Sequence, residues 1–183
     1  MNEKNFQSPK IENIVGSGTI ADSIDLDMLI GKLEGYELNK KRFPGAVLRL
    51  RSPKIAVLIF STGKVVLTGA KSPEDFVQGQ EVLIQKMKNA GVICHDAPDL
   101  AVTNMVCSYD LGKFINLNKV VVTLNLEHIE YEPEQFPGLV YRISDPKIVA
   151  LLFSSGKIIL TGGKTMEDIE RGVAFLEQKM SSI

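Results

Sequence analysis

Residues 55–71 read IAVLIFSTGKVVLTGAK and residues 148–164 read IVALLFSSGKIILTGGK, so the chain carries one segment twice, 93 positions apart. Ten of the seventeen aligned positions are identical and the other seven exchange similar residues. At the same spacing Phe43-Pro44-Gly45 recurs as Phe136-Pro137-Gly138, and Pro53-Lys54 as Pro146-Lys147. Upstream, Glu12-Asn13-Ile14-Val15 pairs with Thr103-Asn104-Met105-Val106 at a spacing of 91, a two-residue difference. A period this long exceeds the roughly 20–50 residues of a solenoid unit. It describes a small α+β half that has been duplicated, with repeats over 8–98 and 99–183. Such a chain is expected to have a pseudo-two-fold axis and two copies of any site.

At 183 residues and 44% hydrophobic the chain can bury a substantial core. No run approaches the ~18 apolar residues of a membrane span, so no membrane association is expected. The N-terminal MNEKNFQSPK lacks the apolar stretch of a signal peptide. Cys94 and Cys107 are the only cysteines and make no disulfide framework, which favours a reducing compartment.

Periodicity orders each repeat. Residues 25–34 place Leu26, Leu29, Ile30 and Leu33 at helical spacing after Ser23 and Asp25, which predicts a short amphipathic helix. Ala46–Leu50, Ile55–Phe60 and Lys64–Thr68 are apolar and β-branched, with breaks at Ser52-Pro53 and Ser61-Thr62-Gly63, and read as an antiparallel meander. Ser72-Pro73-Glu74-Asp75 opens a long helix to about Asn89, with a capping serine, proline at the first position and acids in the first turn. The second repeat offers strands at Leu139–Ile143, Ile148–Phe153 and Lys157–Thr161 and a helix from Thr165 to Met180. An initial strand, 11–20 or 102–109, precedes each short helix.

A sheet with helices on one face and water on the other should alternate apolar and polar residues. These strands do not. With Val57, Ile59, Val65 and Leu67 under the helices, Ala56, Leu58, Phe60, Val66 and Thr68 remain on the other face, as do Leu151, Phe153, Ile159 and Thr161 in the second copy. Either something covers that face, as in a two-layer sandwich or a homodimer through the sheet, or it is a binding surface.

Charge placement favours the binding surface. The net charge is only −1, yet Leu38–Pro73 contains no Asp or Glu and holds Lys40, Lys41, Arg42, Arg49, Arg51, Lys54, Lys64 and Lys71. Gln135–Met166 holds Arg142, Lys147, Lys157 and Lys164 against Asp145. Thr19–Glu37 counters with Asp22, Asp25, Asp27, Glu34 and Glu37 against Lys32. A basic sheet with an acidic helical side is expected, the footprint of an element that lies on a polyanion.

Asn13-Ile14-Val15, Arg42-Phe43-Pro44-Gly45, residues 56–64 and Leu67-Thr68-Gly69-Ala70-Lys71, with their second copies, closely resemble the core of the TATA-box-binding protein family. The likeness spans about residues 8–181. Phe-Pro-Gly in both copies, no low-complexity N-terminal extension and long helices less basic than in eukaryotic members point to an archaeal member. The resemblance implies α+β architecture: two pseudo-symmetric repeats forming one saddle-shaped antiparallel ten-stranded sheet, with four helices on the convex face. It implies a general transcription initiation factor that binds the minor groove of TATA-box promoter DNA, kinks it by phenylalanine insertion and nucleates preinitiation complex assembly.

On that resemblance Phe43 with Phe60, and Phe136 with Phe153, are wedge pairs. A strand aromatic more commonly fills a core. Here Phe43 and Phe136 adjoin turn prolines, and Phe60 and Phe153 end strands, places poorly suited to core filling. Asn13 and Asn104 with Thr68 and Thr161 would donate to the A N3 and T O2 acceptors of an A·T minor groove. Val15, Val106, Leu58, Leu151, Val66 and Ile159 would line the groove floor, and Arg49, Arg51, Lys64, Arg142 and Lys157 would contact phosphates. Glu132, Glu134 and Gln135 would meet transcription factor B and, with it, the RNA polymerase initiation machinery. Leu38 stands where the second copy has Tyr131, and Gln135 where the first has Arg42, so the second half should grip phosphate less strongly.

No cofactor, metal site or enzymatic activity is expected. Gly162-Gly163-Lys164-Thr165 resembles the end of a phosphate-binding loop, but the required earlier glycine is Ile158. Cys94, His95, Cys107 and His128 lack paired metal-ligand spacing. No Ser/His/Asp set or carboxylate pair recurs in both copies. The alternatives are a TBP-like binding module with a non-TATA ligand, and a scaffold that dimerises through its apolar sheet without affinity for DNA. The expected location is the cytoplasm, on the nucleoid, for an archaeal member and the nucleus for a eukaryotic one.

Overall fold

The structure, a computed structural model, describes residues 8–124 and 126–183. It divides into two compact units, Asn13–Thr103 and Asn104–Ile183, the latter with the segment ending at Glu12.

The first unit takes β1 (Lys10–Thr19), β2 (Tyr36–Leu38), β3 (Ala46–Arg51), β4 (Lys54–Ile59), β5 (Lys64–Ala70) and α1 (Pro73–Asn89). Its strands run in the order β2-β3-β4-β5-β1, each antiparallel to its neighbour. The second takes β6 (Ala101–Asp110), α2 (Leu117–Thr123), a 3₁₀ turn at Leu126–His128, β7 (Ile129–Glu130), β8 (Leu139–Ile143), β9 (Ile148–Leu152), β10 (Lys157–Gly163) and α3 (Met166–Met180). Its order, β6-β10-β9-β8-β7, is again antiparallel throughout and repeats the first.

The long helices begin where their caps dictate. Ser72 accepts from Asp75 N at 3.0 Å and Thr165 from Asp168 N at 3.1 Å, so each satisfies one of the free N–H groups of a first turn. Phe76, Leu83 and Met87 of α1, and Ile169, Val173, Leu176 and Met180 of α3, recur at helical spacing and are buried. In the first unit Val57, Ile59, Val65 and Leu67, on the helix side of β4 and β5, are completely buried. Tyr109 donates its hydroxyl to Glu177, tying β6 to α3; burial, then that carboxylate, pushes the phenol up to about 12.

Two local expectations change. The helix expected over 25–34 is a succession of turns, and the described residues hold three α-helices rather than four. Asp25 Oδ1 does accept from Asp27 N and Met28 N at 3.2 and 3.3 Å, as a cap would. The bonds that follow, Ile30 N to Asp27 O and Lys32 N to Leu29 O, close over three residues, and Gly31 at φ +77° leaves the right-handed region. The second concerns two strands that periodicity did not supply, although the ten strands implied by the resemblance required them. Short β2 and β7 flank the meanders, with too few residues to carry a period.

Leu67 and Leu58 sit on adjacent strands and opposite faces. Leu67→Ala is expected to cost about 2–5 kcal/mol by opening a cavity. Leu58→Ala, on a partly exposed side chain, should cost about 1 kcal/mol or less. Urea denaturation midpoints for the two variants check this difference, and equal losses would contradict the face assignment.

Candidate nucleic-acid interface

The strand register aligns the partly exposed side chains into rows. In the first unit Val47 lies opposite Leu58, Leu58 opposite Val66, and Val66 opposite Ser17. The next row runs Arg49, Ala56, Thr68, Val15. In the second unit the rows are Val140, Leu151, Ile159, Ser108 and Arg142, Val149, Thr161, Val106. Cross-strand partners share a face, so each unit presents one continuous strip, apolar except for a few small hydroxyls and an arginine at one end. Val15, Leu58, Val66 and Thr68, with Val106, Leu151, Ile159 and Thr161, all lie on these strips, as the sequence implied. Ala56 belongs to them, as alternation implied; Val47, Val140 and Val149 belong to them too and were missed. Alternation along each strand from Arg49, Arg142 and Leu151 would have found them.

Both strips carry a polar constellation built on a backbone irregularity. The β1–β5 ladder passes from Ile14↔Ala70 to Val15↔Thr68, and so skips Gly69; the β10–β6 ladder skips Gly162 in the same way. These bulge glycines hold φ at +108° and +99°, a region that residues with a Cβ rarely enter. Each bulge removes an N–H from the ladder, and an asparagine supplies its acceptor. Gly69 N donates to Asn13 Oδ1 at 2.6 Å and Gly162 N to Asn104 Oδ1 at 2.7 Å. That bond fixes which end of the amide is which, because only the carbonyl oxygen can accept. Asn13 Nδ2 then donates to Thr68 Oγ1 at 3.1 Å and Asn104 Nδ2 to Thr161 Oγ1 at 3.2 Å. An amide nitrogen has two hydrogens, so one remains, and a threonine oxygen that accepts leaves its own hydrogen free. Each constellation therefore offers a ligand one amide hydrogen, and Thr68 offers its hydroxyl as well; the Thr161 hydroxyl instead donates to Asn104 Oδ1 at 3.4 Å, and the asparagine carbonyl is occupied in both.

The four phenylalanines are brought together in two pairs. Phe43 and Phe60 meet edge to face at 5.6 Å between centroids, and Phe136 and Phe153 at 5.9 Å. Phe43 N and Phe136 N close turns onto Asn39 O and Glu132 O at 3.0 and 2.9 Å, which sets the strand entry of each. The glycine two residues on makes room: a Cβ at Gly45 would lie 2.9 Å from Phe43 Cε1, and one at Gly138 2.7 Å from Phe136 Cε1. None of the four rings is buried, and Phe136 is 41% exposed.

Charge is less segregated than the sequence suggested. Arg49, Arg51, Lys64, Arg142 and Lys157 are all exposed. Arg49 pairs with Glu37 at 3.3 Å, Arg51 with Glu34 at 2.5 Å and Arg142 with Glu130 at 3.6 Å. Acids assigned to the helical side thus reach the sheet, because Glu37 belongs to the edge strand β2. Among the described residues Lys64 and Lys157 form no ion pair. Glu132, Glu134 and Gln135 lie exposed in the turn before Phe136. Burial, then Glu12, pushes the Cys107 thiol up to about 11; burial also raises Cys94, against the pull of Lys88, so both thiols stay protonated near neutrality. Among the described residues no cluster of three His, Cys, Asp or Glu side chains could hold a metal ion, and no helix is long and apolar enough to cross a membrane.

Two antiparallel repeats with an apolar strip, an Asn–Thr pair and two aromatic rings apiece define a duplicated binding fold of α+β class. The family model described as "Transcription factor TFIID (or TATA-binding protein, TBP)" matches residues 8–90 and 99–183, and the chain belongs to this family. It is 48% identical to TATA-box-binding protein 1 of Methanosarcina acetivorans, with 96% of each chain covered. It is 49% identical to the TATA-box-binding protein of Methanothrix thermoacetophila, with 94% and 95% covered. Among solved structures, Methanococcus jannaschii TBP aligns with a TM-score of 0.87 and 44% identity, over 97% of this chain and all of that one. The family is one of DNA-binding transcription factors rather than enzymes.

The bulge geometry separates two roles of asparagine. Asn13→Ala is expected to cost about 1–3 kcal/mol, because Gly69 N–H loses its acceptor. Asn13→Asp, which keeps an acceptor at the same reach, should cost less than the alanine. Thermal melting of both variants checks the order, and an alanine more stable than the aspartate would contradict it.

Proposed function

We propose that this chain is a general transcription initiation factor that binds the minor groove of TATA-box DNA and kinks it. The observation that carries this reading is the pair of Asn–Thr–bulge constellations. An A·T minor groove presents only acceptors, A N3 and T O2, and a G·C pair adds a protruding donor. Asn13 with Thr68, and Asn104 with Thr161, offer donors and no free amide acceptor, so they suit A·T pairs. The apolar rows beside them would leave a guanine amino group without a partner. Phosphates fall to Arg49, Arg51, Lys64, Arg142 and Lys157, which position the duplex without reading it.

Phe43 with Phe60, and Phe136 with Phe153, act as wedges. Unstacking a base step costs a few kcal/mol, offset by ring insertion and by the contacts that bending permits. Glu132, Glu134 and Gln135 form an exposed partner loop for transcription factor B, which brings the RNA polymerase machinery. The free protein covers its apolar strips by homodimerising and works in the cytoplasm on the nucleoid. The archaeal relatives at 45–49% identity favour that compartment over a nucleus.

Two outcomes test the reading. The double variant Asn13→Asp, Asn104→Asp keeps the bulge acceptors and removes the amide donors, so TATA affinity should fall by about 1–3 kcal/mol per lost base contact. The preference for TATA over a G·C-substituted duplex should shrink in the same titration; an unchanged ratio excludes the donor role. Replacing all four phenylalanines with alanine should leave the protein folded, because the rings are not core, and leave a doubly labelled TATA duplex near its unbent length. A folded quadruple variant that still bends DNA fully would exclude the wedges.

A further inference from the structure

Glu37 and Glu130 extend the apolar rows by one residue at the sheet edges. Glu37 lies opposite Val47, which faces Leu58, and Glu130 opposite Val140, which faces Leu151. Each carboxylate therefore stands on the face that the proposed function gives to DNA. Each also holds the arginine on its diagonal, two positions along the neighbouring strand: Arg49 at 3.3 Å and Arg142 at 3.6 Å. The arrangement is the same in both repeats. A charge on an edge strand discourages strand addition, but lysine does that as well as glutamate and would favour DNA. The negative sign, on this face and beside this cation, calls for another explanation.

We infer that Glu37 and Glu130 are intramolecular stand-ins for DNA phosphate. They hold Arg49 and Arg142 in the free protein and release them to the backbone on binding, so that association exchanges one ion pair for another. The inference rests on the DNA-binding reading. Both pairs are exposed, with 57–68% of each side chain accessible, so the exchange is inexpensive and reversible. It also has a signature in salt. A phosphate neutralised by a free cation releases about 0.9 counterion. A phosphate that displaces a carboxylate leaves that carboxylate to take up a cation, which reduces the net release.

The test is a salt series of anisotropy titrations with TATA and scrambled duplexes. It compares the parent chain, E37Q/E130Q, R49Q/R142Q and the combined variant. E37Q/E130Q should bind both duplexes about two- to fivefold more tightly per site at low salt. The log–log salt slope should steepen by up to about 0.9 per site. The ratio of TATA to scrambled binding should not move, because phosphate contacts carry no sequence information. In the arginine-free background the same Glu→Gln changes should have little effect. Unchanged or weakened binding by E37Q/E130Q overturns the inference, as does equal tightening with and without the arginines, which would mean general repulsion. A parent that fails to bind the TATA duplex overturns the DNA reading and this inference together.

Discussion

Strand alternation assigns every residue of β4 and β5 to one of two surfaces, and in this chain both surfaces are apolar. One set, Val57, Ile59, Val65 and Leu67, is fully buried and supplies the core beneath α1. Burying side chains of this size stabilises by about 1.5–3 kcal/mol each, so their face is fixed. A one-residue slip would bring Leu58 and Val66 inward and turn the core outward. The core thus determines which side chains remain for a ligand, and the second unit repeats the division with Ile148, Ala150, Leu152, Ile158 and Leu160.

Where a regular ladder must present hydrogen-bond donors beside an apolar strip, regularity is an obstacle, because its backbone groups are already paired. The bulges at Gly69 and Gly162 solve this locally. Each frees one N–H, and satisfying it holds an asparagine with its amide nitrogen directed to threonine. The donor pattern is therefore a consequence of backbone conformation. The two asparagines need no other tertiary contact to choose their orientation.

This explains what the sequence could and could not disclose. Duplication follows from self-similarity at a spacing of 93, while the meander strands, α1 and α3, and the inward and outward sets of β4 and β5 follow from residue periods of two and 3.6, which are local properties. Asn13, Thr68 and their copies were reached through family resemblance, while the skipped glycines between them were not, since a bulge is a register event involving two strands. Residues 25–34 have the leucine spacing of a helix, yet Gly31 and bonds closing over three residues override it. The pairing of Glu37 with Arg49 depends on β2, whose three residues give no period. A linear count of acids and bases therefore separated charges that the edge strand reunites.

The aromatic pairs show how rings on an open face can be kept orderly. A phenylalanine on an open face would sample several rotamers, and fixing it on binding would cost conformational entropy. Edge-to-face contact restrains each ring by the other and is worth about 0.5–1.5 kcal/mol beyond area. The turns ending at Phe43 and Phe136 set one ring of each pair, and the turns that Phe60 and Phe153 open just past β4 and β9 set the other. Gly45 and Gly138 leave the space in which the rings meet, since a Cβ at Gly45 would also lie 2.7 Å from Ile59 O. The Phe-Pro-Gly triplet thus acts as one unit, with phenylalanine supplying the ring, proline restricting its backbone and glycine giving it a seat. Its recurrence 93 residues later follows from the same requirement at the other end of the duplication.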